Sequence, residues 1–133
     1  IKVIPVCAKI ESELVQLAPE DEKEMMTELG IEQSGITQVS IKSYNNLNLI
    51  TFFTCGPKEA HAWSIPKGLT VRQAAGEIHS DLERGFICAE VYDCSDIFEL
   101  KTEAELKNKG KLRTEGKDYI VKDGDVINVR FNV

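Results

Sequence analysis

The sequence predicts an α+β protein whose C-terminal part is a mixed sheet with one helix packed across it. Three observations carry that class. Residues 50–54 (Ile50-Thr51-Phe52-Phe53-Thr54) and 59–65 are rich in aromatic and β-compatible side chains, and Gly56-Pro57 between them supplies turn chemistry, so they read as a hairpin. Thr70 and Gln73 stand at capping-box spacing ahead of one apolar stripe, Val71, Ala74, Ala75, Ile78 and Leu82, which predicts a helix lying on the sheet. The chain then closes on an alternating run, residues 126–133.

In chain order, Ile1-Lys2-Val3-Ile4-Pro5-Val6 is an apolar, strand-like opening. Ile10, Leu14 and Leu17 recur at helical spacing. Pro19 suits the first turn of a second helix, because its missing N–H would have been unpaired there. Glu20, Asp21 and Glu22 favour the positive end of that helix, and Gly30 is a natural stop after Leu29. Ile36, Val39, Tyr44 and Leu47 suggest a third helix, interrupted by the turn-prone Asn45-Asn46. These helices are amphipathic and need a surface to cover.

After the hairpin and the capped helix, Gly85 introduces a strand over residues 86–92, in which Ile87, Ala89 and Val91 share one face. A short charged helix follows at about 103–109, then a glycine-punctuated loop. Two final strands, 118–121 and 126–133, are separated by Lys122-Asp123-Gly124-Asp125, an Asp-Gly turn signal. In the last strand Ile127, Val129, Phe131 and Val133 point one way, and Val126, Asn128, Arg130 and Asn132 the other, giving a dry face and a mostly wet one. Hairpin, helix, strand, irregular stretch and hairpin-like end is an order compatible with a β-grasp.

Composition narrows the function classes. The chain of 133 residues suits one compact domain with some attached secondary structure. At 42% hydrophobic and 29% charged it reads as soluble and globular, and no apolar run approaches the roughly 18 residues of a membrane span. The net charge of -6 argues against the whole surface acting as a nucleic-acid trap. The charge is uneven, however: residues 1–46 are dominated by acids, whereas bases outnumber acids over 101–133, leaving room for a locally basic face. Cys7, Cys55, Cys88 and Cys94 contain no Cys-x-x-Cys pair and read as reduced thiols. Cys55 and His61 supply at most half of a zinc site, so no metal is expected.

Longer blocks are more specific than any of these signals. They comprise Ile50-Thr51-Phe52-Phe53-Thr54-Cys55-Gly56-Pro57-Lys58-Glu59-Ala60-His61-Ala62-Trp63, then Gln73-Ala74-Ala75-Gly76-Glu77-Ile78-His79 and Asp81-Leu82-Glu83-Arg84-Gly85-Phe86-Ile87. Gly110-Lys111-Leu112-Arg113, Glu115-Gly116-Lys117-Asp118-Tyr119, Asp123-Gly124-Asp125-Val126-Ile127 and Arg130-Phe131-Asn132-Val133 complete the series. In this order they resemble the C-terminal part of the YchF/Obg-like ATPases, P-loop nucleotide hydrolases of the translation-factor class ending in a ubiquitin-like TGS domain. The resemblance implies that residues 1–48 are the end of a nucleotide-binding domain and that residues 49–133 are a TGS β-grasp domain. No Gly-x-x-x-x-Gly-Lys-Ser/Thr loop occurs, and the chain opens inside an apolar run without an initiator Met, so it reads as a fragment. No catalysis and no cofactor are expected of the fragment itself; ATP or GTP with Mg²⁺ is what the resemblance implies for the intact protein.

The resemblance also assigns residues. Cys7-Ala8-Lys9, directly after the first strand-like run, matches the family's last nucleotide motif, where a small side chain lets the backbone meet the purine edge. Ribosome association in the family makes RNA the expected partner. Lys58, Arg72, Arg84, Lys111, Arg113 and Lys117 are the candidate contacts, Lys67 and Arg130 further cations, and Trp63 or Phe86 the stacking surface. A solvated face with scattered ion pairs is the competing explanation of the same charges. His79 reads as a cap at the negative end of its helix, and His61 as a strand side chain beside Trp63, at a position where the family more often has Arg. A cytoplasmic location, no membrane partner and self-association through exposed helix faces complete the expectation. The rival class is a protein-binding, ubiquitin-like adaptor without nucleic-acid binding; a carrier would need a Gly-Gly tail, and the last three residues are Phe-Asn-Val.

Overall fold

The computed structural model describes residues 3–56 and 59–132. It divides into two compact units, Ile1–Asn46 and Leu47–Val133.

The first unit is helical, with α1 at Ala8–Leu14, α2 at Pro19–Glu28 and α3 at Gly35–Asn46. Pro19 occupies the first turn of α2 beside Glu20, Asp21 and Glu22. Gly30, at φ +66°, ends α2 as a Schellman cap: its N–H donates to Thr27 O at 3.1 Å, and Ile31 N–H to Met26 O at 2.8 Å. Ser34 Oγ accepts from Thr37 N–H at 3.3 Å and starts α3. The segment 3–7 is not a strand. A strand exists only against a partner ladder, and the described residues of this unit contain none. Leu17 falls outside α1, and α3 continues through Asn45 and Asn46 instead of breaking there; the turn comes at Asn48, with φ +55°. Ile36, Val39 and Leu47 are exposed.

The second unit holds a five-stranded mixed sheet in the order β2-β1-β5-β3-β4. Strands β1 (Leu49–Cys55) and β2 (Ala60–Pro66) form the expected hairpin, in register from Leu49 with Pro66 to Cys55 with Ala60. Gly56 N–H closes its loop on Glu59 O at 2.9 Å; Pro57 and Lys58 lie outside the described residues. β5 (Asp125–Phe131) runs parallel to β1 and antiparallel to β3 (Phe86–Asp93), which also pairs with the short β4 (Arg113–Glu115). Helix α4 (Val71–Ile78) carries the full capping box of Thr70 and Gln73 and buries Val71, Ala74 and Ala75. Its face joins Ile50, Phe52, Ile65, Ala89, Val91, Val121 and Ile127 in the main core.

Three local expectations are corrected. The capped helix stops at Ile78, because His79 turns extended and its Nδ1 accepts from Asp81 N–H at 3.2 Å, starting α5 (Ser80–Arg84). His79 therefore ends α4, its N–H donating to Ala75 O at 3.1 Å, and at the same time caps α5 by a local side-chain bond that competes with continued helix. A bulge between Phe86 and Cys88 shifts the parity of β3, so Ile87 is exposed while Phe86 packs against the core. Residues 118–121 form no strand. They run past the entrance to α4, with Val71 N–H on Tyr119 O at 2.7 Å and Val121 N–H on Leu69 O at 3.0 Å, and make a single bridge there.

The face expected to be mostly wet is exposed at Asn128, Arg130 and Asn132 and is covered only at its Val126 end. There helices α6 (Cys94–Leu100) and α7 (Glu103–Asn108) build a second core of Tyr92, Leu100, Leu106 and Val126, joined by Phe53, Ile97 and Leu112. Asp93 caps α6 by accepting from the Ser95 hydroxyl at 2.5 Å and from Ser95 N–H at 2.8 Å, and those hydrogen bonds hold its carboxyl below the usual range. Thr102 Oγ1 caps α7 by accepting from Glu105 N–H at 3.3 Å.

Candidate functional site

In the first unit, Cys7 is the extended residue ahead of α1, and Ala8 and Lys9 open that helix; all three are exposed. The leading N–H groups of such a helix have no intrahelical acceptor and point outward, which suits an acceptor-rich ligand edge. Cys7 lines an open cavity of about 600 Å³ with Val6, Ile10, Glu11 and the segment around Gly35; Ala8 and Lys9 do not. Glu11 Oε1 closes the cavity wall by accepting from Gly35 N–H at 2.7 Å. Gly35 has no room for a side chain: an added Cβ would lie 2.9 Å from both Glu11 Oε1 and Val6 Cγ1.

In the second unit two clefts hold four of the expected RNA contacts, Arg72 with Lys117 and Lys111 with Arg113. Lys58 lies outside the described residues. Trp63 is half-buried, its Nε1 donates to Thr54 Oγ1 at 3.0 Å, and its ring is stacked on Phe52 and covered by His61 at 4.3 Å between centroids. Arg72 Nε donates to Glu83 O at 3.1 Å and lines a shallow cleft with Lys117. Arg84 pairs with Asp81 at 2.7 Å.

Lys111 and Arg113 do meet. They line a polar cleft of about 330 Å³ with Asp93, Asp96, Gly110, Lys122 and Asp125. Lys111 Nζ is 3.2 Å from Asp96 Oδ1. The Arg113 guanidinium lies over the Tyr119 ring, 5.6 Å from its centroid, with Nη2 at 3.4 Å from the hydroxyl and 3.9 Å from Asp125 Oδ1. Burial opposes the charge on Arg113, but Tyr119, Glu115 and Asp125 outweigh it and raise its pKa. Asp125 is nearly inaccessible, and its Oδ2 accepts from the Tyr119 hydroxyl and from Lys122 N–H, both at 2.9 Å. Burial and then Asp125 raise the Tyr119 pKa. Lys122, Asp93 and Asp96 were not singled out in the sequence, although Asp93-Cys94-Ser95 carries the residue types of an N-cap. Among the described residues no group of three or more His, Cys, Asp or Glu could hold a metal ion, and no helix is long and apolar enough to cross a membrane.

The family model YchF-GTPase_C, described as "Protein of unknown function (DUF933)", matches residues 49–132. The chain belongs to the YchF family. This YchF-family chain is 51% identical over 131 residues to the ribosome-binding ATPase YchF of Escherichia coli O157:H7, a match covering 98% of this chain and 36% of that protein. It is 49% identical over 132 residues to the protein of the same name from Bacillus subtilis, covering 99% and 36%. The solved structure of the Schizosaccharomyces pombe YchF GTPase superposes with a TM-score of 0.83 at 36% identity, over 96% of this chain and 34% of that one. The chain thus spans about 36% of the length of these curated relatives and corresponds to their C-terminal part.

Proposed function

We propose that this chain is the C-terminal part of a cytoplasmic protein that binds and hydrolyses ATP or GTP with Mg²⁺, and that its own task is recognition of the ribosome through RNA. Residues 1–48 then finish the nucleotide-binding domain, and Cys7-Ala8-Lys9 closes the base side of its site. With no P-loop in its sequence, the chain alone supplies neither phosphate cradle nor hydrolysis. Residues 49–133 are a TGS domain of the β-grasp type, a reading supported by the sheet order β2-β1-β5-β3-β4 with α4 across it.

The observation that carries the proposal is the match across 98% of the chain to a protein named a ribosome-binding ATPase. The test is co-sedimentation of the chain with purified ribosomes across a salt series, beside ATP and GTP titrations. Binding that weakens steeply with salt, without nucleotide saturation, is expected. Absence of ribosome binding, or binding indifferent to salt, would replace the RNA role with that of a protein adaptor.

A further inference from the structure

The cations of the second unit differ in what already holds them. Arg72, Arg84 and Arg130 are engaged with Glu83 O, Asp81 and Glu90. Lys107, Lys109 and Lys122, like Lys67, Lys101 and Lys117, make no side-chain hydrogen bond or ion pair among the described residues, whereas Lys111 is paired with Asp96 and Arg113 with Glu115 and Asp125. Lys122 lines one cleft with Lys111 and Arg113, and Lys107 and Lys109 lie just ahead of that cleft's Gly110 in the chain. Four cations fall within Lys107-Asn108-Lys109-Gly110-Lys111-Leu112-Arg113. A cation at the negative end of α7 is ordinary helix chemistry; this density goes beyond it.

The backbone explains how Lys111, Arg113 and Lys122 converge. Gly110, at φ +68°, ends α7 as a Schellman turn, with its N–H on Lys107 O at 3.1 Å and Lys111 N–H on Leu106 O at 2.8 Å. The chain reverses there, and Leu112 is drawn against the second core. Lys111 and Arg113 on either side of it line the polar cleft, with Lys122 entering from the turn before β5. The acids of the same cleft are occupied: Asp93 by Ser95, Asp96 by Lys111, and Asp125 by Tyr119 and Lys122 N–H. Apart from Gly110, every residue lining the cleft is charged. Protein partners anchor in desolvated apolar pockets, which this cleft lacks, whereas phosphate oxygens are held by cations and backbone N–H groups.

We propose that the surface of Lys107, Lys109, Lys111, Arg113 and Lys122 around this cleft is the RNA phosphate-binding surface of the chain. The assignment rests on the RNA reading above, and places the contact here rather than at the Arg72–Lys117 cleft.

Ribosome binding is measured across a salt series for the wild type, Lys109→Gln/Lys122→Gln, the rival pair Arg72→Gln/Lys117→Gln, and the charge control Lys23→Gln/Lys42→Gln. Among the described residues Lys109 and Lys122 have no side-chain partner to lose, so all variants are required to match the wild type in circular dichroism and thermal midpoint. Loss of about tenfold in affinity, with the slope of log affinity against log salt reduced by about 2, is expected for Lys109→Gln/Lys122→Gln alone. Wild-type chain that fails to bind removes the RNA reading itself. Wild-type binding that survives Lys109→Gln/Lys122→Gln, or falls equally with the rival pair or the control, overturns the location only. Retention of Lys109- and Lys122-dependent binding after the RNA is digested would assign the surface to an acidic protein, and full competition by millimolar inorganic phosphate would assign it to a small anion; either result overturns the proposal.

Discussion

Replacing Asp125 with Ala should destabilise the second unit by about 3 kcal/mol. The carboxylate sits at 2% exposure at the start of β5 and receives two donors, the Tyr119 hydroxyl and Lys122 N–H, each at 2.9 Å. Hydrogen bonds to a charged acceptor contribute about 1.5–3 kcal/mol each, and relief of the buried charge returns part of that sum. Arg113, at 3.9 Å and partly exposed, adds little. The turn that Asp125 organises is also tied to β1, because Asp123 Oδ1 accepts from Thr51 N–H and Gly124 N–H donates to Thr51 O, both at 2.8 Å. Urea unfolding followed by the single tryptophan, Trp63 on β2, reads this unit directly. A fall of about 15 °C in the thermal midpoint is the matching result for a unit of this size. In a Tyr119→Phe background the cost should shrink by about 1 kcal/mol, since one of the two stranded donors is already gone. An Asp125→Ala cost below about 1 kcal/mol, or one unchanged by Tyr119→Phe, would refute the view that this carboxylate is held by its donors.

Two further changes test the two cores. Phe52→Ala, at a fully buried position under α4, should cost about 3–5 kcal/mol by the same fluorescence assay; a loss under about 1.5 kcal/mol would mean the site collapses onto neighbouring side chains. Burial, and then the charge of Glu103, push the Tyr92 pKa from 10.0 to about 12. The folded state therefore keeps this proton after the unfolded chain has lost it. The resulting stability is present below pH 10 and is lost as pH rises from 10 to about 12. Urea midpoints at steps across that window should fall more steeply for the wild type than for Tyr92→Phe, and parallel curves would contradict the assignment.

Most of what was legible in the sequence rests on chemistry confined to a few neighbours. The hairpin, the Thr70–Gln73 box, Pro19 and Gly30 of α2, and the inward facing of Ile127 and Val129 all depend on local turn, cap or alternation rules, and each lies where it was expected, although Phe131 farther along the same face is exposed. What was missed depends on distant contacts. The bulge at Ile87 is defined by the register with β5, and β4 exists only because Arg113–Glu115 lies beside β3. α6 is too short for its two inward residues, Ile97 and Leu100, to announce a period. The same division holds for the candidate site. Cation identities were visible, but their partners were not, so Arg72, Arg84 and Lys111 looked alike in a sequence and differ in the fold.

The α6–α7 segment links the second core to the charged cleft. Leu100, Leu106 and Leu112 point inward to cover Tyr92 and Val126 on the sheet face that alternation alone would leave wet. The residues between and beside them must then face water: Lys107 and Lys109 flank the end of α7, and Lys111 and Arg113 bracket Leu112. Burial of three leucines and presentation of four cations are two sides of one periodicity, so weakening the first should disorder the second. Leu106→Ala, at a fully buried position, should therefore lower ribosome affinity without touching a charge, whereas a variant that loses about 2–4 kcal/mol of stability but keeps wild-type affinity and salt slope would show that the cleft is positioned independently of the core beneath it.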